Sequence, residues 1–236
     1  MRKNPFHNFI RTERHRYKER DNNRLTFSAS HASRYYNYVS IILERYAIAD
    51  NAYREERRRI HNLSESQPNG FPPEELNRSV QLKCELHLEI ESFYVFAKTL
   101  LDKTAHLVEL YFGDAQNCSL NSHHKFLTCS QTYFKIKKLK DTDKIVSLMT
   151  QLQCDIVHFR DKKLTHQNNS RVSLGTAFPE KQGAFISAGH FYPKPSDQPY
   201  ESQPLDSLID DIDEYLNNLL TWMIGNRERS NLQIKE

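Results

Sequence analysis

Glycine is scarce in this chain, with six in 236 residues. An all-β protein turns often and relies on glycine at its left-handed positions, so the shortage favours helices. No apolar run approaches the roughly 20 residues that span a bilayer. The start, Met1-Arg2-Lys3-Asn4-Pro5, is basic, but Phe6 to Arg24 is too polar for the apolar core of a secretory signal. The expected location is therefore the cytoplasm, with no membrane partner. Four cysteines, Cys84, Cys118, Cys129 and Cys154, include no C-x-x-C pair, and in a cytosolic chain of this size they read as free thiols.

Several signatures of chemistry are also missing. The chain has no G-x-x-x-x-G-K, G-x-G-x-x-G, H-E-x-x-H or G-x-S-x-G. Their absence argues against a P-loop, a dinucleotide fold, a zincin and an α/β-hydrolase.

What is present describes a wet surface around amphipathic elements: 38% apolar residues, 27% charged, and a mean hydropathy of −0.75. At this length folding removes roughly 70–75% of the unfolded surface, so neither disulfide nor metal is required for stability. The net charge is only +3, but residues 1–30 hold eight Lys/Arg against three Asp/Glu, or +5, leaving −2 for the rest. A basic N-terminal arm over 1–30 would attract phosphate backbones; a plain solvated terminus is the competing reading.

Four segments carry a helical period. In the first, Tyr35, Val39, Ile42, Tyr46, Ala49, Tyr53 and Ile60 recur every three or four residues. The charged run Arg54–Arg59 near its end reads as a solvated face, with phosphate binding by its arginines as the alternative. The second, from near Ser79 to Gly113, carries Leu82, Leu86, Ile90, Phe93, Ala97, Leu100, Leu101, Ala105 and Val108. Residues 115–140 are less regular. The third starts at the N-cap pair Asp141-Thr142 and runs through Ile145, Leu148, Met149, Leu152, Ile156 and Phe159 into Arg160–His166. The fourth holds Leu205, Leu208, Ile209, Ile212, Leu216, Leu219 and Met223 and ends near Gly225. Between the last two, residues 171–192 alternate in the manner of a β-hairpin with a turn at Pro179–Gly183. The predicted fold is mainly all-α: one domain over 31–236, an antiparallel up-and-down bundle of four long helices with that hairpin between helices 3 and 4.

One stretch points to chemistry: Phe159-Arg160-Asp161-Lys162-Lys163-Leu164-Thr165-His166. It resembles the signature of the HEPN superfamily, an Arg, a polar residue and a His after four to six intervening residues, at the end of a long helix in a helical bundle. The resemblance in helix order covers roughly 31–225, while the motif covers seven residues. Arg followed by His at this spacing occurs four times, at Arg2/His7, Arg24/His31, Arg54/His61 and Arg160/His166. Arg160 alone among them is followed by Asp or Asn, and it alone ends the helix before the last.

The residue types suit RNA cleavage by the RNA's own 2′-hydroxyl. A histidine with a reference pKa near 6.5 can move a proton at neutral pH. A forked, permanently charged arginine can stabilise the phosphorane. Asp161 would orient the pair. No metal or cofactor is required, and by resemblance the product would carry a 2′,3′-cyclic phosphate.

On an unbroken helix, positions six apart diverge by about 240° and lie about 9 Å apart along the axis. Either the helix unwinds before His166 or a second chain completes the site. HEPN proteins commonly dimerise with two motifs meeting, which implies a symmetric homodimer. The resemblance also implies an RNA substrate and a toxin-like or antiviral role, with an antitoxin or regulatory protein as the partner that restrains it. The competing reading is structural. Arg160 pairs with a carboxylate such as Asp102 or Asp155, His166 caps its helix, and the bundle binds a protein or nucleotide without catalysis.

Asp102 and His106, at i and i+4, are candidates to support the site from behind, or simply share an intrahelical hydrogen bond. Cys118, His123, His124 and Cys129 have zinc-ligand chemistry but not the close cysteine pair. Asp155 and His158 form a lone D-x-x-H, short of a di-iron bundle's twin motifs.

Overall fold

The computed structural model describes residues 2–66, 73–116, 118–158, 160, 172–173, 190–191 and 205–235. Among them six α-helices follow in chain order: α1 (Pro5–Glu13), α2 (Glu19–Ser66), α3 (Pro73–Phe112), α4 (His123–Lys137), α5 (Asp143–Leu152) and α6 (Leu205–Gly225). α5 continues as a π-helical stretch, Gln153–His158, and a 3-10 turn, Arg227–Arg229, follows α6. The protein is mainly helical, as its glycine content and periodicity predict. Four long helices are not what forms, however. There are two long ones, of 48 and 40 residues, and four of 9 to 21.

α2 and α3 would measure about 72 Å and 60 Å at 1.5 Å per residue, and they pack antiparallel. Tyr38 touches Phe96, Arg45 bonds Glu89, and Glu56 meets Arg78. Each advance along α2, of seven and then eleven residues, is matched by an equal retreat along α3. Their inner faces supply Val39, Tyr46, Ile90, Phe93, Leu100 and Val108 to one core. α6 fills the same core with a full apolar face from Leu205 to Met223. Beyond Tyr46 on α2 and before Leu86 on α3, Glu56 is the one buried residue among those described. Arg59 grips it with two hydrogen bonds of 2.7 and 3.0 Å. The charged run 54–59 is thus a solvated face with one carboxylate held inside it, its charge favoured by Arg59 above all.

Residues 2–30 are basic but are not an arm. α2 begins at Glu19, well before the expected start, and α1 precedes it. Asn4 explains the docking. Its oxygen caps α1 by accepting from the Phe6 N–H at 3.1 Å. Its amide donates to Ser33 O, Ser33 Oγ and Asn37 Oδ1 of α2 at 2.8–3.0 Å. Phe6, Phe9, Tyr17, Leu25 and Ala29 are buried. Beneath them, the buried Glu13 Oε2 accepts from the hydroxyls of Tyr17 (2.7 Å) and Tyr111 (2.8 Å), tying α1 to α3. The two chain ends also pair, Lys18 N to Gln233 O at 2.7 Å and Lys235 N to Arg16 O at 2.9 Å.

α4 occupies the stretch that looks irregular in sequence. Ser122 caps it through Lys125 N at 3.2 Å, and the left-handed Lys138 (φ 54°) closes it. α5 begins where expected, but Thr142 makes no side-chain cap bond and Asp141 has a positive φ of 55°. The two-residue strands β1 (Val172–Ser173) and β2 (His190–Phe191) pair antiparallel, with Val172 opposite Phe191. The remainder of 171–192 lies outside the described residues.

Candidate functional site

α5 packs on α6 by an alternation that buries Ile145, Met149 and Leu152, and its exposed flank bonds α6 through Lys144–Glu214 and Gln151–Asp211. At Gln153 the hydrogen-bond pattern widens from α to π. Such wide turns are rare and frequent at functional sites. Ile156 and Val157 still face the core, and Arg160, two residues past the stretch, has the same wide-turn backbone and is half-buried. Asp161 and His166 lie outside the described residues, so the structure locates one of the three motif side chains.

The wide turn has a visible use. Gln153, buried at its first position, sits between two histidines of α4. Its Oε1 lies 3.2 Å from Nδ1 of His123, and its Nε2 lies 3.4 Å from Nδ1 of His124. With the amide so oriented, His123 carries its proton on Nδ1 and His124 has an unprotonated Nδ1. His123 is fully buried, edge-on to Tyr215 with ring centres 5.8 Å apart. Burial pushes its pKa down to about 4, a small opposing effect coming from the Gln153 bond. Its Nε2 and the Tyr215 hydroxyl are both buried without a hydrogen-bond partner. His123 is a neutral core residue, and Gln153 is the group that sequence reading missed.

The other candidates are placed as follows. Asp102 Oδ1 accepts the backbone N–H of His123 at 2.9 Å, capping α4, and Oδ2 holds Lys98 at 2.6 Å. His106 is exposed. Asp102 therefore reaches the site only through α4, by way of His123 and Gln153. The four zinc-type residues do not assemble: Cys118 and Cys129 are free thiols set against each other, and both histidines are engaged by Gln153. Among the described residues no group of three or more His, Cys, Asp or Glu is placed to hold a metal ion. His158 has a described backbone only; Asp155 is half-buried on the wide turn, its pKa raised by burial and then by Asp211. Asp211 is itself raised by burial, with Glu214 and Asp210 adding to it.

A concavity lies at the N-terminal end of α5. It measures about 660 Å³ and is lined by Lys138, Lys140, Lys144 and Arg229 as well as Asp141 and Glu228. Trp222 Nε1 donates to Lys140 O at 2.7 Å, and Asn226 Oδ1 accepts from Lys140 N at 2.9 Å. These bonds fix the loop that carries both left-handed residues.

No family model, no curated protein and no solved structure matches the chain.

Proposed function

We propose that the protein is a metal-independent endoribonuclease of HEPN type, acting as a symmetric homodimer in the cytoplasm. The 2′-oxygen bonds the phosphorus as His166 takes its proton, the P–O5′ bond breaks, and that proton passes to the departing 5′-oxygen; Arg160 stabilises the phosphorane between the two events, and Asp161 orients the pair. The supporting observation is the position of Arg160. It stands half-buried on a helix that has already left α geometry, at the last position described before the paired strands and α6. A changed helical pitch supplies the departure from an unbroken α-helix that a motif of six-residue spacing needs before its two ends can meet.

The His123–Gln153–His124 bridge fixes where that departure begins, and Asp102 fixes α4 beneath it. These are positioning residues, with no contact to a reacting atom. A hairpin at 171–192 would cover the cleft or bind an antitoxin-like partner.

Incubation with single-stranded RNA in EDTA tests the reading. Cleavage to 2′,3′-cyclic phosphate ends, lost in both Arg160→Ala and His166→Ala, is expected. RNA left intact over a broad panel, with the variants matching wild type, leaves the non-catalytic bundle as the better account.

A further inference from the structure

A row of rings on α2 runs from the edge of the core, where Tyr35 and Phe96 pack against it, out into solvent. Phe27 is 75% exposed and Tyr38 38%. They are joined by His31 and Tyr35 into a continuous row, with ring centres 6.2, 5.4 and 5.6 Å apart. Phe96 of α3 closes the row against Tyr35 and Tyr38. Every pair meets tilted or edge-on, at 36° or more, so none is stacked face to face. From Phe27 to Tyr38 the row runs about 16 Å along the helix. Single exposed apolar residues are ordinary, but a contiguous patch marks a contact surface.

On the α2 side of the row, between Asp21 and Glu44, the charge has one sign. Arg34 is exposed three residues on from His31, on the same face, and the register that sets Tyr38 against Phe96 and Arg45 against Glu89 brings the half-buried Lys103 opposite His31. Burial lowers the His31 pKa, and the charges of Lys103 and Arg34 lower it further. Among the described residues neither has an ion-pair partner, and α2 holds no carboxylate between Asp21 and Glu44.

We infer that this row is a stacking platform for single-stranded RNA, with bases on the rings and phosphates on Arg34 and Lys103. This rests on the RNA reading above and adds a binding surface remote in sequence from Arg160. Base–aromatic stacking beside cations is the general mode for unpaired strands, and about 16 Å accommodates roughly five stacked nucleotides at 3.4 Å each. A second copy of the chain fits less well. A two-fold contact of the row with itself would bring cations against cations and desolvate them without carboxylates.

The test is fluorescence anisotropy of the full chain with a 2′-O-methyl single strand, which 2′-hydroxyl attack cannot cleave, and with the matching duplex. Phe27→Ala and Tyr38→Ala should each weaken single-strand affinity about tenfold and leave duplex binding unchanged. Tyr38→Phe, which keeps the ring, should bind as wild type. Arg34→Gln and Lys103→Gln should each reduce the salt slope by about one. Ring variants that bind single strands as tightly as wild type would overturn the platform even where RNA is cleaved. So would equal affinity for duplex, or self-association that Tyr38→Ala abolishes in a chain that binds no RNA. Ring-dependent binding by a chain that cleaves nothing would instead support the platform and remove the nuclease reading.

Discussion

His123 should make the protein sensitive to mild acid. Its folded pKa is about 4 against a reference of 6.5, a gap of about 2.5 pH units. A depressed folded pKa means that the unfolded chain binds the proton first. The contribution is complete above pH 6.5 and is lost as pH falls towards 4. At 1.36 kcal/mol per unit the full loss is ~3 kcal/mol, of which ~2 kcal/mol falls between pH 7 and pH 5. With a urea slope of ~3 kcal/mol/M, the unfolding midpoint should drop by roughly 0.7 M over that interval. The raised pKa values of Asp155 and Asp211 act oppositely, stabilising the fold at low pH and losing effect as pH rises through their folded values. Comparison with His123→Leu removes that background. The variant is less stable at pH 7, because Gln153 Oε1 is left buried without its donor, but its curve should lack the His123 component. Parallel pH dependences in wild type and variant would refute the reasoning.

Two further predictions concern the frame around the site. Asn4→Ala removes the cap of α1 and three hydrogen bonds to α2 and should cost about 2 kcal/mol; a chemical-denaturation ΔG unchanged from wild type would restore the picture of a loose arm. Gly113 has φ +80°, and a Cβ there would lie 2.8 Å from the Asn231 side chain. Gly113→Ala should therefore cost about 2 kcal/mol and lower Tm by about 4–8 °C, and an unshifted melting curve would show that the C-terminal segment yields freely.

The core faces of α3 and α6 were legible because their apolar residues recur without interruption: every position named for the last helix, Leu205 to Met223, is buried. α4 was hidden for a physical reason. Its buried face is His123, Phe126, Ser130, Tyr133 and Phe134, a sound helical stripe in which two members are polar. α1 was hidden because Phe6 and Phe9 stand alone among cations, and what fixes them is the amide of Asn4, which no periodicity records. The wide turn at Gln153 has neither proline nor glycine to announce it; its partners are 29 and 30 residues away. The buried Glu56 was likewise concealed in a run that looks uniformly solvated. Of the motif, the structure describes Arg160 alone and adds the change of pitch that precedes it.

The nuclease account depends on Arg160 and His166 acting on one phosphate. The most direct measurement is the imidazole NMR signal of His166 in the full chain, titrated with an uncleavable RNA strand. If both groups meet one phosphate, the strand shifts the His166 resonances and Arg160→Ala abolishes the shift. Resonances that ignore the strand, or that move equally in wild type and Arg160→Ala, would contradict it.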